Sequence, residues 1–405
     1  MKVYLCVTPF FPGPQNWRGA YILDQVKAIQ RNSDYTVIVF KTNPLTHSED
    51  DYEVDGIRVY PIRPLLMPSY ILNGLTEKIV GYLFVKKLKK LKIDLKDIAF
   101  IHCHTANHAA FGFGVRDVNP EAKVLLQFHD LDPYSLRNGF MADKRWNVRY
   151  RARKSLNSFE SADLLISISA PVQKNLLAFP YARSEETHFS YLSRLECIHD
   201  YPSLRSRKTY ILHNGVDTTI FKNTNDGAAN LDSNIFRIGC VANFLEIKDH
   251  ITLIKAFCIL IKKGYHNMRL SLLGSGETLY ECKTYIENNN LDEYVEWPKE
   301  VSHSELPDYY RTLSLFVLPS VYEGFGCVYT EAYACGVPFM GVYDQGAAEL
   351  IDVSERDMWL IKPHDYIRLA ELIENYYHTR CEQKLSSPYD IDFLIKNFLK
   401  FIDQI

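Results

Sequence analysis

The sequence predicts an α/β protein built from two Rossmann-like, doubly wound domains that face each other across a cleft. Short β-rich runs alternate along the chain with longer segments of helical periodicity, the pattern expected of strand–helix–strand units. Several runs are almost continuously apolar, as parallel strands covered on both faces require. A chain of 405 residues has room for two domains. The runs are too numerous for one open sheet, so two sheets are expected.

The predicted strands are short runs with strong β propensity. In the first half of the chain they are residues 2–10, 35–40, 57–61, 98–104, 122–129, 162–169 and 208–213. In the second half they are residues 236–242, 268–273, 295–297, 313–318, 337–342 and 358–361. Because ligands of open α/β sheets bind at the carboxyl ends of strands, candidate site residues are those that directly follow a strand.

Domain boundaries are expected where turn-forming and polar residues accumulate. The stretch between residues 203 and 234 contains Asn214-Gly215 and a polar run, a composition typical of a linker. Residues 180–207 have weak periodicity and are interpreted as an insertion or a mobile loop. The terminal segment carries an apolar helical stripe that should pack on another element. The expected divisions are an N-terminal domain over residues 1–205, a C-terminal domain over 206–385 and a final helix within 386–405.

Composition excludes several classes of protein. A net charge of −3 argues against a globally basic nucleic-acid binder. The apolar run after Met1 is too short for a signal peptide, and no apolar stretch is long enough to span a membrane. The nine cysteines are scattered and form no CxxC pair, so they are interpreted as reduced thiols of a cytosolic protein.

The richest candidate site follows the predicted strand 313–318. A loop carries Glu323, and Phe325, Gly326 and Cys327 lead into a predicted helix that contains Glu331. Small residues let backbone amides approach an anion, and a helix N-terminus adds free N–H groups and a partial positive charge. A diphosphate suits that position, and the two carboxylates would then bind hydroxyl groups. The alternative is an ordinary strand–loop–helix with a capping acid and a solvated glutamate.

This segment resembles the E-x7-E signature of retaining glycosyltransferases of family 4. The resemblance rests on residues 319–326, on Glu331 with the turn at 334–338, and on the glycine-rich turn and acid at 346–351. It implies the GT-B fold, a nucleotide-sugar donor in the C-terminal domain, an acceptor in the N-terminal domain, and no metal. It further implies that Glu331 holds the ribose and that Glu323 contacts the donor sugar or lies near the reacting carbon. The final helix is expected to cross back to the N-terminal domain.

A second candidate element follows the strand 236–242. Lys248 lies in the loop and could neutralise charge on a leaving diphosphate, although any single lysine can equally be solvated. In the family an Arg and a Lys with this spacing both contact the donor phosphates. Lys248 matches the lysine, whereas Asn243 stands at the arginine position, so one phosphate contact is put in question. Gly276 ends the next strand and could also approach the donor.

In the first half of the chain, Gly19 and His129 are the candidate site residues. A helix starting near Gly19 would direct its amides towards a ligand, and the family has a glycine-rich loop near the phosphates at this place. His129 follows the strand 122–129, where the family has a histidine near the donor sugar. The alternatives are a proline-rich connector and a satisfied core histidine.

Two metal-binding interpretations are weak. His102, His104 and His108 follow another strand, but neither a carboxylate nor a cysteine completes a ligand set. Asp130 and Asp132 form a D-x-D pair, a metal–nucleotide motif of a different transferase fold. We therefore expect neither a metal nor another cofactor.

Two basic tracts could dock on anionic lipid or could be solvated helix faces. They are residues 86–92 and the cationic residues between 144 and 154.

Together these features predict a retaining, metal-independent glycosyltransferase of the hexosyltransferase type. Its donor would be a UDP-sugar in first place and a GDP-sugar in second, and its acceptor a glycan or a lipid-linked saccharide. The expected setting is bacterial surface polysaccharide assembly, in the cytoplasm with peripheral contact to the inner face of the membrane. The alternatives are a GT-B sugar-nucleotide epimerase or hydrolase and a non-catalytic, nucleotide-sugar-binding relative, which Asn243 would favour.

Overall fold

The computed structural model divides the chain into two compact α/β units. It describes residues 2–13, 18–65, 76–130, 146–177, 204–224, 234–299, 301–321 and 323–405. Among these residues, unit 1 extends to Gly215 and is completed by Ile391–Ile405, and unit 2 is Val216–Asp390.

Unit 1 is built on an eight-stranded sheet in the order β3-β4-β2-β1-β5-β6-β7-β8. All neighbouring strands are parallel except β3 and β4, which form an antiparallel pair. The strands are β1 (Val3–Thr8), β2 (Thr36–Thr42), β3 (Tyr52–Val54), β4 (Ile57–Ile62), β5 (Ile98–His104), β6 (Lys123–Phe128), β7 (Leu164–Ser167) and β8 (Thr209–Ile211). The helices of this unit are α1 (Ala20–Arg31), α2 (Glu77–Lys90), α3 (Ala109–Arg116), α4 (Trp146–Ser161), α5 (Ala170–Leu177) and, from the end of the chain, α12 (Ile391–Ile402).

The terminal helix α12 packs in unit 1, against α1. Its apolar stripe, including the fully buried Phe398, joins the core formed by α1 and the strands of the first sheet. Arg31 pairs with Asp392 at 3.0 Å, and the Tyr35 hydroxyl donates to Asp403 at 2.8 Å. Burial of the stripe and these polar contacts tie the end of the chain to the first unit.

Unit 2 has a six-stranded parallel sheet in the order β11-β10-β9-β12-β13-β14. The strands are β9 (Phe236–Val241), β10 (Met268–Leu273), β11 (Val295–Glu296), β12 (Leu315–Val317), β13 (Phe339–Val342) and β14 (Leu360–Ile361). The helices are α6 (His250–Lys262), α7 (Leu279–Asn288), α8 (Leu306–Arg311), α9 (Cys327–Ala334), α10 (Arg356–Trp359) and α11 (Tyr366–Thr379). Most strand residues are buried, as expected of a sheet covered on both faces.

Three details differ from the sequence-based expectation. Unit 1 runs past residue 205 to Gly215, because β8 pairs with β7 and so belongs to the first sheet. Unit 2 likewise continues past residue 385 to Asp390. The hairpin partner β3 was not predicted; it is a short strand whose residues are only partly buried or exposed. In the described part of the chain, no helix combines the length and apolar character needed to cross a bilayer.

Candidate active site

The strand order of unit 2 places a topological switch point between β9 and β12. Strands β10 and β11 extend the sheet on one side of β9, and β12, β13 and β14 extend it on the other. In open α/β sheets, ligands bind in the crevice at the carboxyl ends of the strands at such a point. The two loops that leave it are in direct contact, since the Val321 amide donates to the Ile247 carbonyl at 3.0 Å. The predicted residues Lys248 and Glu323 lie on these two loops.

Lys248 and Glu323 form an ion pair across the switch point. The Lys248 ammonium contacts Glu323 Oε2, and their side chains are only 20% and 15% exposed. Lys248 ends a short 3-10 turn that leads into α6, and that turn fixes where its side chain begins. The pair places one cation and one carboxylate, both partly buried, at the carboxyl ends of β9 and β12.

The start of helix α9 packs closely on the side chains around it. Gly326 is its N-cap with a φ of +80°, and a Cβ there would lie 2.6 Å from the Tyr329 ring. Tyr329 is held beneath the loop because its hydroxyl donates to the Leu318 carbonyl at 2.6 Å. The first turn of α9 carries no acidic side chain. This helix N-terminus therefore suits an anion such as a diphosphate.

Glu331 lies one turn into α9 and is 9% exposed. The hydroxyl of Tyr310, on α8, donates to Glu331 Oε2 at 2.8 Å. Tyr310 could not be predicted from the sequence, because no local pattern links an α8 tyrosine to a carboxylate on the next helix. Glu331 is thus a buried carboxylate held by a side chain from another element.

Two glycines bring the surrounding loops against this region. A Cβ on Gly276, whose φ is +152°, would lie 2.4 Å from the Phe244 carbonyl oxygen. A Cβ on Gly346, whose φ is +36°, would lie 2.1 Å from the Phe325 carbonyl oxygen. Both contacts are with backbone, which cannot move aside as a flexible side chain can. Glycine at these positions therefore allows the loops after β10 and β13 to pack on the candidate donor loops.

Three further predicted positions differ in what they offer a ligand. Phe325 is buried, and its carbonyl lies against Gly346, so it shapes the loop from beneath. Cys327 is partly exposed at the first position of α9. Asn243 is exposed on the loop after β9 and can donate its amide to a ligand, but it carries no charge.

In unit 1 the corresponding switch point lies between β1 and β5. Gly19 is the N-cap of α1 with a φ of +91°, and a Cβ there would lie 2.7 Å from the Phe10 carbonyl oxygen. The Arg18 guanidinium stacks 3.8 Å from the Phe10 ring centroid. Arg18 and Gly19 thus pack against Phe10, and the N-terminus of α1 lies at the ligand-binding edge of the sheet.

His129 is coupled to His104. His129 Nε2 lies 2.7 Å from His104 Nδ1, and the two rings stack at 12°. Burial lowers the pKa of His129 to about 3, so its imidazole is neutral at physiological pH. Within the described residues, its Nδ1 is buried without a hydrogen-bond partner. Because Nε2 contacts His104, that nitrogen can bind a ligand only after the contact with His104 is broken.

The other histidines of the cluster also have structural partners. The Tyr4 hydroxyl hydrogen-bonds to His102 Nδ1 at 2.7 Å. His108 contacts the hydroxyls of Thr42 and Thr105 at 2.8 and 2.6 Å. Within the residues that the structure describes, no three His, Cys, Asp or Glu side chains are grouped so as to hold a metal ion.

Several sequence-based hypotheses fall on residues outside the described part. These are Asp132 of the D-x-D pair, Lys144 and Arg145 of the second basic tract, and most of the segment 180–207.

Comparison with known proteins identifies a domain of known family within unit 2. Residues 221–387 match the family model Glycosyl transferases group 1, so this unit contains such a domain. The capsular polysaccharide biosynthesis glycosyltransferase CapM of Staphylococcus aureus is 31% identical over 189 residues, which are 41% of this chain and 47% of CapM. Mannosylfructose-phosphate synthase of Agrobacterium fabrum is 27% identical over 255 residues, covering 60% of this chain and 51% of that protein. The chain therefore spans about half the length of these curated relatives.

Solved structures resemble the whole chain. HepE of Anabaena in complex with UDP superposes with a TM-score of 0.69 at 16% identity, covering 100% of both chains. Sucrose-phosphate synthase from Thermosynechococcus elongatus superposes with a TM-score of 0.66 at 18% identity, covering 99% of this chain and 95% of that one. The chain thus has an α/β fold with two Rossmann-like units of the GT-B type, and the predicted fold class is confirmed.

Proposed function

We propose that this protein is a retaining glycosyltransferase that takes its sugar from a nucleotide-sugar donor. The observation that carries the proposal is the arrangement at the switch point of unit 2. There the Lys248–Glu323 pair, the N-terminus of α9 and the buried Glu331 follow neighbouring parallel strands. The family match of residues 221–387 supports the same reaction class.

The diphosphate, the ribose and the sugar of the donor each have a chemically suited partner in this arrangement. The diphosphate binds at the N-terminus of α9 with Lys248 as its cation, and Gly276 allows the neighbouring loop to approach. The ribose hydroxyls bind Glu331. Glu323 leaves Lys248 and binds the donor sugar. In unit 1, Gly19 and His129 remain the predicted contacts near the phosphates and the sugar.

Catalysis in this proposal is electrostatic. The bond between the anomeric carbon and the β-phosphate oxygen breaks, and its electron pair stays on the leaving diphosphate. A hydroxyl oxygen of the acceptor forms the new bond to the anomeric carbon, and its proton passes to the departing phosphate. Lys248 and the α9 amides stabilise the negative charge that builds on the diphosphate.

We further propose that the reaction needs no metal, because a lysine and a helix N-terminus already provide positive charge for the diphosphate. Donor turnover in excess EDTA is expected to equal turnover in Mg²⁺ within a factor of about two, a difference too small to reflect the loss of a metal's electrostatic stabilisation. The measurement is release of nucleoside diphosphate from the donor. Complete loss of turnover in EDTA, restored by Mg²⁺ or Mn²⁺, would favour a metal-dependent D-x-D mechanism instead.

The donor is proposed to be a UDP-sugar, with a GDP-sugar as the second choice. The structural neighbour HepE was solved in complex with UDP and with UDP-glucose. The name of CapM refers to capsular polysaccharide biosynthesis, which supports a glycan or lipid-linked acceptor in bacterial surface polysaccharide assembly. The test is a thermal-shift screen of UDP-, GDP-, ADP- and dTDP-sugars, followed by turnover of the stabilising compound. Stabilisation without turnover in the presence of candidate acceptors would identify a binding-only relative.

The first basic tract provides a candidate membrane contact for a cytoplasmic enzyme. On α2, the exposed face carries Ile79, Tyr82 and Leu83 beside exposed lysines, among them Lys86 and Lys90. The opposite face of α2 is buried in unit 1. Apolar side chains next to lysines match an anionic lipid surface, in which the apolar groups insert and the ammonium groups meet phosphates. We therefore propose that α2 docks on the anionic inner face of the membrane.

Reversing two charges on α2 tests this contact. Lys86→Glu with Lys90→Glu is expected to weaken co-sedimentation with phosphatidylglycerol vesicles at least about tenfold, because each lysine contributes about 1 kcal/mol near an anionic surface. The matched control is Lys396→Glu with Lys400→Glu, on the exposed side of α12 with the same spacing. Equal loss in both variants would indicate nonspecific attraction and contradict a docking surface on α2.

A further inference from the structure

We infer that Tyr310 is a positioning residue for the donor, which holds the Glu331 carboxylate in the orientation that receives the ribose hydroxyls. Tyr310 would then determine how strongly the protein prefers a ribonucleotide over its 2′-deoxy form. This inference rests on the proposed function, in which Glu331 binds the ribose.

The first support is the geometry of the contact. The Tyr310 hydroxyl donates to Glu331 Oε2 at 2.8 Å, and the two residues are 0% and 9% exposed. The Tyr310 ring is packed against Phe316 at 5.8 Å and Phe221 at 6.3 Å between ring centroids. Packing therefore fixes the hydroxyl, and the hydroxyl in turn limits rotation of the carboxylate.

The second support is that Tyr310 stays a donor at every relevant pH. Burial, followed by the neighbouring Glu331 carboxylate, raises the pKa of the Tyr310 phenol well above its usual value. A protonated phenol next to a carboxylate donates its only hydrogen to it, and hydrogen bonds to charged groups are among the stronger ones in proteins. The contact therefore persists while Glu331 exchanges its other partners.

The third support is that the contact sets the direction of the Glu331 carboxylate, on which recognition of a ribose depends. The two neighbouring hydroxyls of a ribose meet a carboxylate well only when its plane has a defined direction. In the proposed function the diphosphate is held by other groups, Lys248 and the α9 amides, whereas the Tyr310 hydroxyl donates to the Glu331 carboxylate. Loss of the Tyr310 hydroxyl should therefore weaken recognition of the ribose and leave recognition of the phosphates largely intact.

The neighbouring Tyr309 is a matched control. It is also buried on α8, and its hydroxyl donates to the Ser271 Oγ at 3.0 Å and lies 3.2 Å from the Ser271 carbonyl oxygen. Tyr309→Phe removes one buried hydroxyl from the same helix without touching Glu331.

The experiment compares binding of UDP and 2′-deoxy-UDP by isothermal titration calorimetry. The wild-type protein is expected to prefer UDP about tenfold, the contribution of one hydrogen bond to a charged group. Tyr310→Phe should reduce this preference to less than about twofold, whereas Tyr309→Phe should keep it. Thermal unfolding of each variant confirms that it folds. A purely structural role for Tyr310 would weaken both ligands by the same factor and leave their ratio unchanged.

Glu331→Gln separates the inference from the proposed function. If this variant loses the preference for UDP but Tyr310→Phe retains it, Glu331 does bind the ribose and the inference about Tyr310 is overturned. If Glu331→Gln itself keeps the preference, the ribose assignment of the proposed function is wrong. Should Tyr310→Phe fail to fold, Glu331→Asp shortens the side chain and breaks the contact while keeping the charge. A preference for UDP retained in Glu331→Asp would also overturn the inference.

Discussion

Lys248→Ala is expected to lower turnover of the nucleotide-sugar donor about 100-fold, the effect of removing one preorganised group that stabilises charge in a transition state. The loss should appear mainly in kcat, because the charge on the leaving diphosphate is greatest in the transition state. The variant also leaves the partly buried Glu323 carboxylate without its cation. Steady-state release of nucleoside diphosphate, measured at saturating donor, checks this prediction.

A second Lys–Glu pair provides the control for Lys248. Lys263 and Glu374 form an ion pair at 2.6 Å on the surface of unit 2, away from the switch point, with side chains 46% and 27% exposed. Lys263→Ala breaks this pair and is expected to leave kcat unchanged, since exposed pairs contribute little to stability. Wild-type turnover in Lys248→Ala, or equal losses in both variants, would contradict the role assigned to Lys248.

Acidification from pH 7 to pH 5 is expected to destabilise the protein strongly through its buried histidines. Burial lowers the pKa of His102 to about 3 and that of His108 to about 4, and it lowers the pKa of His104 well below its usual value. A histidine with a lowered folded-state pKa stabilises the fold above its unfolded pKa, near 6.5, and this contribution is lost as the pH falls towards the folded pKa. Between pH 7 and pH 5, the free energy of unfolding should fall by about 2 kcal/mol for His102 and by the same amount for His108.

Denaturant unfolding at several pH values measures this effect, because the slope of unfolding free energy against pH reports proton uptake. His108→Gln keeps a side chain that can hydrogen-bond to Thr42. It should reduce the number of protons taken up on unfolding, which the slope reports, by about one. The exposed His47 supplies the control, and His47→Gln should leave the slope unchanged. An unfolding free energy that does not change between pH 7 and pH 5 would show that these histidines do not remain neutral in the folded state.

The alternation of strands and helices was sufficient to predict the fold class, because a parallel sheet covered on both faces leaves long apolar runs in the sequence. The hairpin of β3 and β4 was missed even though its turn carries a sequence signal. Asp55 and Gly56 both have positive φ, and Asp-Gly is a preferred pair for the tight turns of β-hairpins. The strand at residues 208–213 was predicted, but the domain boundary was placed before it, because the sequence does not show that this strand pairs with β7 in the first sheet.

The sequence could name candidate site residues but not the contacts between them. Lys248, Glu323 and Glu331 were chosen from their positions after strands and from the family resemblance, and their roles stay predictions. Their partners depend on packing between distant segments, as in the Lys248–Glu323 pair and the contact of Tyr310 with Glu331. The hydrogen bond between His104 and His129 joins the ends of two neighbouring strands, and only the sheet order brings these ends together. The rule that candidate residues follow the carboxyl ends of strands finds such residues. Their hydrogen bonds can be identified only in the three-dimensional structure.

A crystal structure with the nucleotide sugar that stabilises the protein most would test the central claim directly. We expect the diphosphate to lie within hydrogen-bond distance of Lys248 Nζ and the Cys327 amide, and the ribose hydroxyls to contact the Glu331 carboxylate. In the same structure Glu323 should have left Lys248 for the donor sugar. A nucleotide bound elsewhere on unit 2, or one whose ribose does not contact Glu331, would contradict the account.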